Sequence, residues 1–454
     1  MRDEKLKYVY FIGIGGIGMS AIARWYKFRG HEVSGYDRTP SDLTAALQAE
    51  GIDVHYEDDC TKVPADKEST LVIYTPAVPA EFGELQFVQQ QGYRVVKRSQ
   101  ALGEITSGLA CLAVAGTHGK TTTSTLVAHI LTEGGEGCSA FLGGISKNYG
   151  SNLLMSRTPV VVAEADEFDR SFLQLHPDIA VITAMDADHL DIYGDLEHVQ
   201  EAFRMFAAQV HETLILKYGL PVTQDQVSAR IYTYHFDDPR ADFHSSRLRL
   251  GSDGHYTFDL VYPGGVLSDI RVGALGWVNV ENSIAAAAVC LCYGVDGQKM
   301  RRAIGSFKGV QRRLDEHVCK PGLSYIDDYA HHPAELASAI SSLRGIFPGR
   351  RITGVFQPHL YTRTRDFAPQ FAEALSALDE LILLDIYPAR EEPIPGVSSE
   401  LIFKDVTCAS KLMIRKEELM DTLAGRQLDV LATFGAGNID RFVEPLTRML
   451  DARK

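Results

Sequence analysis

Between residues 116 and 122 the chain reads Gly-Thr-His-Gly-Lys-Thr-Thr, after the apolar run LACLAVAG and before the helix-patterned segment STLVAHILTEGG. Glycines in such a place let backbone N–H groups turn inward on a triphosphate, and the N-terminus of the following helix adds positive dipole. An ammonium at Lys120 suits the β- and γ-phosphates, and a hydroxyl at Thr121 suits a magnesium ion. Gly116, Thr117, His118, Gly119, Lys120, Thr121 and Thr122 are therefore the candidate ATP-binding residues. The spacing is a shortened G-x-x-G-K-T form, because Val114 stands where the longer phosphate-loop pattern has another glycine. A threonine-rich helix cap that binds nothing would have no need of the Gly-Lys pair.

Two acidic segments further on, Glu164-Ala165-Asp166-Glu167 and Asp186-Ala187-Asp188-His189, each end a predicted strand. In parallel α/β sheets the carboxyl ends of adjacent strands converge on the ligand crevice, which makes both segments candidate metal partners of the loop. Hard cations prefer oxygen, so the Thr121 hydroxyl and a carboxylate of these strand ends could hold magnesium, with the imidazole of His189 the less typical ligand. Solvated strand caps are the plainer reading of such carboxylates. A second glycine loop, Gly13-Ile14-Gly15-Gly16-Ile17-Gly18, follows a strand and opens a helix, and Asp37 ends the next strand. Loop and acid together meet the dinucleotide-binding fingerprint, which taken alone predicts an NAD-dependent oxidoreductase. The physics of the loop is only that close backbone and a helix N-terminus bind a diphosphate, and a nucleotide sugar supplies one equally well.

Placing these loops requires repeated strand-helix units. YVYFIGI runs into MSAIARWYKF, then HEVSGYD, LVIYTPAVP and YRVVKRS follow as strands. A second start at LACLAVAG leads to VVVAEAD and IAVITAMD, and a third from about residue 311 runs through LSYIDDYA, RITGVFQP, ELILLDIYP, KLMIRK and DVLATFG. At 454 residues the chain is long enough for about three domains of ~150 residues. The reading is α/β throughout, with an N-terminal Rossmann-like parallel sheet over 1–105 and a C-terminal Rossmann-like domain over 311–454. Between them a central P-loop-type ATPase domain over 106–310 carries a small antiparallel sheet at about 228 to 275. Tyr8, Tyr10 and Phe11 read as core rather than as a ligand stack. Arg94, Lys97 and Arg98 read as a solvated strand end or as diphosphate contacts.

Composition excludes several classes. Acidic residues number 59 against 45 basic, and the formal charge of -14 opposes nucleic-acid binding. Seven scattered cysteines without a C-x-x-C pair argue against a disulfide framework or a zinc site and fit a reducing compartment. With no signal-like N-terminus and no run near the ~18 apolar residues a bilayer span needs, the expected location is cytoplasmic, without membrane insertion.

Taken in order, FIGIGGIGMS, AGTHGKTTT, EADEFDRSFL, DADHLDIYG, DDYAHHPAE, FQPHLYTRTRDF, YPAREEPIPG and GAGNI make the chain resemble the Mur ligases of peptidoglycan synthesis along nearly its whole length. The resemblance implies an ATP-dependent ligase that joins L-alanine to the lactyl carboxylate of UDP-N-acetylmuramate through an acyl phosphate. UDP-N-acetylmuramate would bind the first domain, at Gly15, Gly16, Ile17, Gly18, Ser20, Asp37 and Thr75, with His118 reaching it from the phosphate loop. Lys120 and Thr121 would hold the phosphates and a magnesium ion, Glu164 and His189 would serve the metals, and Asn279 and Asn282 would lie near adenine. Arg313 would meet the γ-phosphate. Asp328, with His331 or His332 nearby, would reach the ribose or the reacting end, while His359, Arg363 and Arg365 would form the L-alanine side. His189 and His332 are the two candidates for the base that deprotonates the amine.

Three positions depart from the family pattern. Arg204 stands near the place of a lysine that sister ligases carbamylate, so carbamate chemistry is not expected, in keeping with the L-alanine branch. Val278 replaces a histidine in G-x-H-N-x-x-N, and Leu360 replaces an arginine after F-Q-P-H. The nearest rival is a ligase that attaches a preformed tripeptide to UDP-N-acetylmuramate, whose corresponding segment lacks the F-Q-P-H-x-x-T-R-T-R pattern. An oxidoreductase leaves the Gly-Lys-Thr loop unexplained. A silent nucleotide-sugar sensor would tolerate loss of Lys120 or Glu164, and both are present.

Overall fold

The structure, a computed structural model, describes residues 5–187, 190–389 and 391–453. Its strands form three sheets. The first has five parallel strands in the spatial order Asp53–His55, Glu32–Tyr36, Tyr8–Ile12, Thr70–Tyr74, Arg94–Lys97. Tyr8–Ile12 lies in the middle, with Ile12 opposite Tyr36 on one side and Tyr74 on the other. The strand order reverses there, and the glycine loop leaves the sheet at that switch point, where an open α/β sheet has its ligand crevice. Tyr10 and Phe11 are fully buried, as expected for an aromatic strand covered on both faces.

The central sheet has ten strands. Six run parallel, in the order Arg230–His235, Thr213–Lys217, Ile179–Ile182, Ala110–Ala115, Val160–Ala165, Ser139–Ser146, and Ser151–Leu154 closes one edge antiparallel. Beyond Arg230–His235 the sheet continues through Phe243–Leu250, Tyr256–Tyr262 and Gly265–Arg271. The stretch read as an appended antiparallel sheet is thus an extension of the central one. Its first joint is parallel, Tyr234 standing opposite Phe243. The intervening turn is tied back by Asp242, whose carboxylate accepts from the Thr233 amide at 2.8 Å. The third sheet has six strands, Asp315–Lys320, Leu323–Asp328, Val430–Phe434, Ile352–Phe356, Glu380–Leu383 and Ser410–Met413, parallel except at the first pair.

The chain divides into two compact units, one of Met1–Ser245, Leu260–Leu267 and Ser283–Ile304, the other of Ser246–Asp259, Ser268–Asn282 and Gly305–Lys454. In the first, one apolar core runs from Val9, Phe11 and Ile22 to Ala113, Ala163 and Phe203. A polar tie crosses the same junction: buried Asn152 donates to the Ile17 carbonyl at 2.6 Å and accepts from Arg24 at 3.3 Å. In the second, alternation along the strands sends Ile326, Phe356 and Ala432 to one core and Tyr325, Val355 and Leu431 to another, the period of two that a sheet covered on both faces requires.

Candidate active site

After its first residue the helix Lys120–Gly134 runs through TTTST, a poor composition for a helix interior. The hydroxyls are buried yet paired: Thr125 Oγ1 donates to the Thr121 carbonyl at 2.6 Å and Ser124 Oγ to the same carbonyl at 3.2 Å. Such back-bonding lets polar side chains pack inside without stranded donors. The two loop glycines are required by backbone geometry. Gly119 caps the helix at φ +80°, and Gly116 has φ +133° with Thr183 Oγ1 only 2.1 Å from where a Cβ would stand. Thr183 closes the loop from below, donating to the carbonyls of Ala115 and His118.

Lys120 and Thr121 each meet a carboxylate from the end of strand Val160–Ala165 or just beyond it. Lys120 Nζ donates to the Gly116 carbonyl at 2.7 Å and to Glu167 Oε1 at 2.9 Å. Burial alone would push this ammonium down, but Glu167 foremost, then Asp166 and Glu164, hold it above the usual lysine range. Burial pushes the Glu167 carboxyl up, and Lys120 pulls it back. Glu164 is the hub of the loop: it accepts from Thr121 Oγ1 at 2.9 Å, from Ser124 Oγ at 3.3 Å and from the Gly143 amide at 2.9 Å. A Cβ at Gly143 would fall 2.2 Å from Glu164 Oε1, so this close approach excludes a side chain there. Hydroxyl and carboxylate oxygens held together in this way suit a hard divalent cation such as magnesium. Among the described residues no group of three or more His, Cys, Asp or Glu is arranged to hold a metal, and His189, with Asp188, lies outside the described residues. His118 Nε2 lies 3.3 Å from Asp186 Oδ2.

The first glycine loop is tied by Asp37, whose Oδ2 accepts from the Gly15 amide at 2.6 Å. A Cβ at Gly13 would lie 2.5 Å from Thr75 Cγ2, and one at Gly18 would lie 2.9 Å from Arg98 Nη1. Gly15, Gly16, Ile17, Gly18, Asp37 and Thr75 are thus drawn together, whereas Ser20 is turned inward. It is fully buried, with its amide on the Gly16 carbonyl and its hydroxyl on the Ile17 carbonyl, both at 2.9 Å. Arg98 is not merely a solvated strand end: it pairs with Asp166 at 3.2 Å, while Arg94 pairs with Glu104 on the surface.

In the second unit Asp328 ends its strand with both oxygens engaged, accepting from the amides of Leu314 at 2.7 Å and Ala330 at 2.8 Å. Burial pushes this carboxyl to about 6, against the pull of Arg313 and those amides. Arg313 lies over the Tyr329 ring at 4.9 Å and within 3.6 Å of Glu335. His332 caps the helix Pro333–Ile346, its Nδ1 accepting from the Ala334 amide at 3.4 Å, and His331 Nδ1 lies 3.0 Å from the Tyr329 carbonyl. The rings of His331 and His359 are 6.0 Å apart. Arg363 is buried on the helix Tyr361–Leu375, and Arg365, on the same helix, pairs with Asp366 at 2.7 Å. Asn279 and Asn282 are buried one turn apart, bonded to each other at 3.0 Å. Sequence reasoning placed Glu167 in a candidate metal-binding segment and not as the partner of Lys120, and it assigned no role to Thr183. Glu167 stood inside the quoted EADE run, where three residues of separation from Glu164 was the available signal; Thr183 offered none.

Residues 8–109 match the Mur ligase family catalytic domain, residues 114–290 the Mur ligase middle domain, and residues 312–437 the Mur ligase glutamate ligase domain. The chain belongs to the Mur ligase family, and its enzyme class is an ATP-dependent, amide-bond-forming ligase. A UDP-N-acetylmuramate--L-alanine ligase of Parabacteroides distasonis is 50% identical over 457 residues, covering 99% of this chain and 98% of that protein. One from Porphyromonas gingivalis is 49% identical over 453 residues, 98% of this chain and 99% of its own. The crystal structure of a UDP-N-acetylmuramate-alanine ligase from Thermotoga maritima shares the fold with a TM-score of 0.82 at 24% identity, over 98% of this chain and 100% of that one. Among the described residues no helix is long and apolar enough to cross a membrane.

Proposed function

We propose that this enzyme uses ATP to join L-alanine to the lactyl carboxylate of UDP-N-acetylmuramate, in the cytoplasm, giving UDP-N-acetylmuramoyl-L-alanine, ADP and phosphate for peptidoglycan synthesis. One observation carries the reading: Thr121 and Lys120 are seated against carboxylates at the end of one strand and two residues beyond it, in a chain half identical from end to end to a protein named for that reaction. The three domains of 1–105, 106–310 and 311–454 are kept as the working division, supported by the three matched segments.

In this mechanism the γ-phosphoryl group passes to the lactyl carboxylate, and the loop amides with Lys120 bear the developing negative charge. Lys120 is held protonated by its carboxylate neighbours, so it acts as a fixed cation and not as a base. Thr121 and Glu164 would hold magnesium, with His189 as a third ligand, and the bound ion would neutralise phosphoryl oxygens. The alanine amine then attacks the acyl phosphate carbonyl, the C–N bond forms, and phosphate leaves with the C–O bond pair. His189 and His332 are the two candidates for removing the amine's proton; His332 Nδ1 accepts from the Ala334 amide. The roles of Asn279, Asn282, Arg313 and Asp328 toward the nucleotide, and of His359, Arg363 and Arg365 toward alanine, are carried over from the family.

The test is phosphate release by purified protein with ATP, magnesium and UDP-N-acetylmuramate, comparing L-alanine, the tripeptide and no acceptor, with Lys120→Ala as control. Release that requires L-alanine and disappears in the variant supports the proposal. Release only with the tripeptide moves the assignment to the recycling ligase.

A further inference from the structure

The helix Tyr361–Leu375 carries Arg363 and Arg365, and its first amides have no partner within the helix. Here they meet a carboxylate from a distant loop. Glu391 Oε2 accepts from the Tyr361 amide at 2.6 Å and the Thr362 amide at 3.1 Å, and Glu391 Oε1 accepts from the Thr362 hydroxyl. The same loop grips the residues before the helix. Leu360 donates its amide to the Tyr387 carbonyl at 3.0 Å, and Tyr387 donates to the Pro358 carbonyl at 2.8 Å. The His359 and Tyr387 rings stack at 5.8 Å with 24° between planes. Leu360 itself sits at φ +71°, a conformation that leucine holds only when its surroundings impose it.

We propose that Glu391 is a positioning residue for the acceptor amino acid, an inference that rests on the ligase reading above. Its carboxylate fills the anion-binding end of the helix, so the acceptor's own carboxylate is excluded from that end and directed to Arg363 and Arg365, two and four residues after Tyr361. The loop that carries Glu391 also holds His359 and Leu360, through Tyr387, in one frame with the start of the helix.

The experiment compares wild type with Glu391→Gln and Glu391→Ala in the full-length protein, measuring kcat and KM for L-alanine and, separately, melting temperature with and without sodium acetate. Loss of a hydrogen-bonded carboxylate at a binding frame raises KM for L-alanine by roughly tenfold or more, with kcat changed far less. In Glu391→Ala, acetate re-enters the vacated helix end: it lowers KM toward wild type and raises the melting temperature of the variant above any effect on wild type. Unchanged KM in both variants, or a loss of kcat and stability that acetate does not touch, overturns the proposal. If wild type shows no L-alanine-dependent turnover, the ligase reading fails, and the acetate-dependent melting shift still reports on Glu391 by itself.

Discussion

Glu84 gives the sharpest physical test of the first domain. Its side chain is completely buried, accepting from the Tyr10 hydroxyl at 2.7 Å and from the Asp59 amide at 3.0 Å. Tyr10 and Glu84 form a cluster with His55, whose Nε2 lies 2.8 Å from the Tyr10 oxygen and 3.6 Å from Glu84 Oε1. Burial pushes the Glu84 carboxyl from 4.5 to about 7, helped by Asp58 and Asp59 and opposed by the two hydrogen bonds. The folded protein therefore binds a proton here that the unfolded chain gives up at lower pH. This stabilisation is complete below the unfolded value, declines as pH rises, and is gone above the folded one. A shift of this size corresponds to about 3 kcal/mol between pH 4 and pH 8. His55 contributes the opposite slope, because burial lowers its pKa from 6.5. The assay is urea unfolding of wild type and Glu84→Gln from pH 4.5 to 8.5, read as the difference between the two. The variant should lose ground relative to wild type at low pH and regain it as pH rises. A difference that stays flat across that range would refute the assignment of a raised Glu84.

Lys120→Ala should abolish phosphate release by roughly 10³-fold and also cost about 3 kcal/mol of stability, because Glu167 is left buried without its cation. Adding Glu167→Gln should return most of the stability and none of the activity, read by melting temperature and phosphate release. Glu164→Gln weakens the oxygen set facing Thr121, so the magnesium concentration for half-maximal rate should rise roughly tenfold or more; an unchanged magnesium titration would move the metal elsewhere. Gly116→Ala places a methyl group against Thr183 in a backbone region open to glycine, and should lower stability by about 2 kcal/mol or more and abolish binding of a non-hydrolysable ATP analogue.

Local chemistry in the sequence was enough to locate both glycine loops, the run of strands and the acidic strand ends. Each depends on neighbours in the chain: a buried strand, a left-handed glycine and a helix N-terminus lie within ten residues of one another. Membership of the Mur ligases followed from the order of those segments. What sequence reasoning could not supply were contacts whose partners lie far apart. Glu167 on Lys120, Thr183 under Gly116 and Glu391 on the helix Tyr361–Leu375 are separated by 47, 67 and 30 residues, and each needs the fold to bring a strand end or loop to its partner. Ser20 shows the converse, since the family resemblance implied a substrate contact there while the helix turns its hydroxyl onto a backbone carbonyl. The sequence alone determined the elements and their chemistry, because propensity, glycine geometry and hydrophobic period act over a few residues. Only the tertiary structure decided which charges are buried together, because the burial that raises Glu84 and Asp328, and the carboxylates that hold Lys120 protonated against its own burial, are brought there by the packing of distant segments.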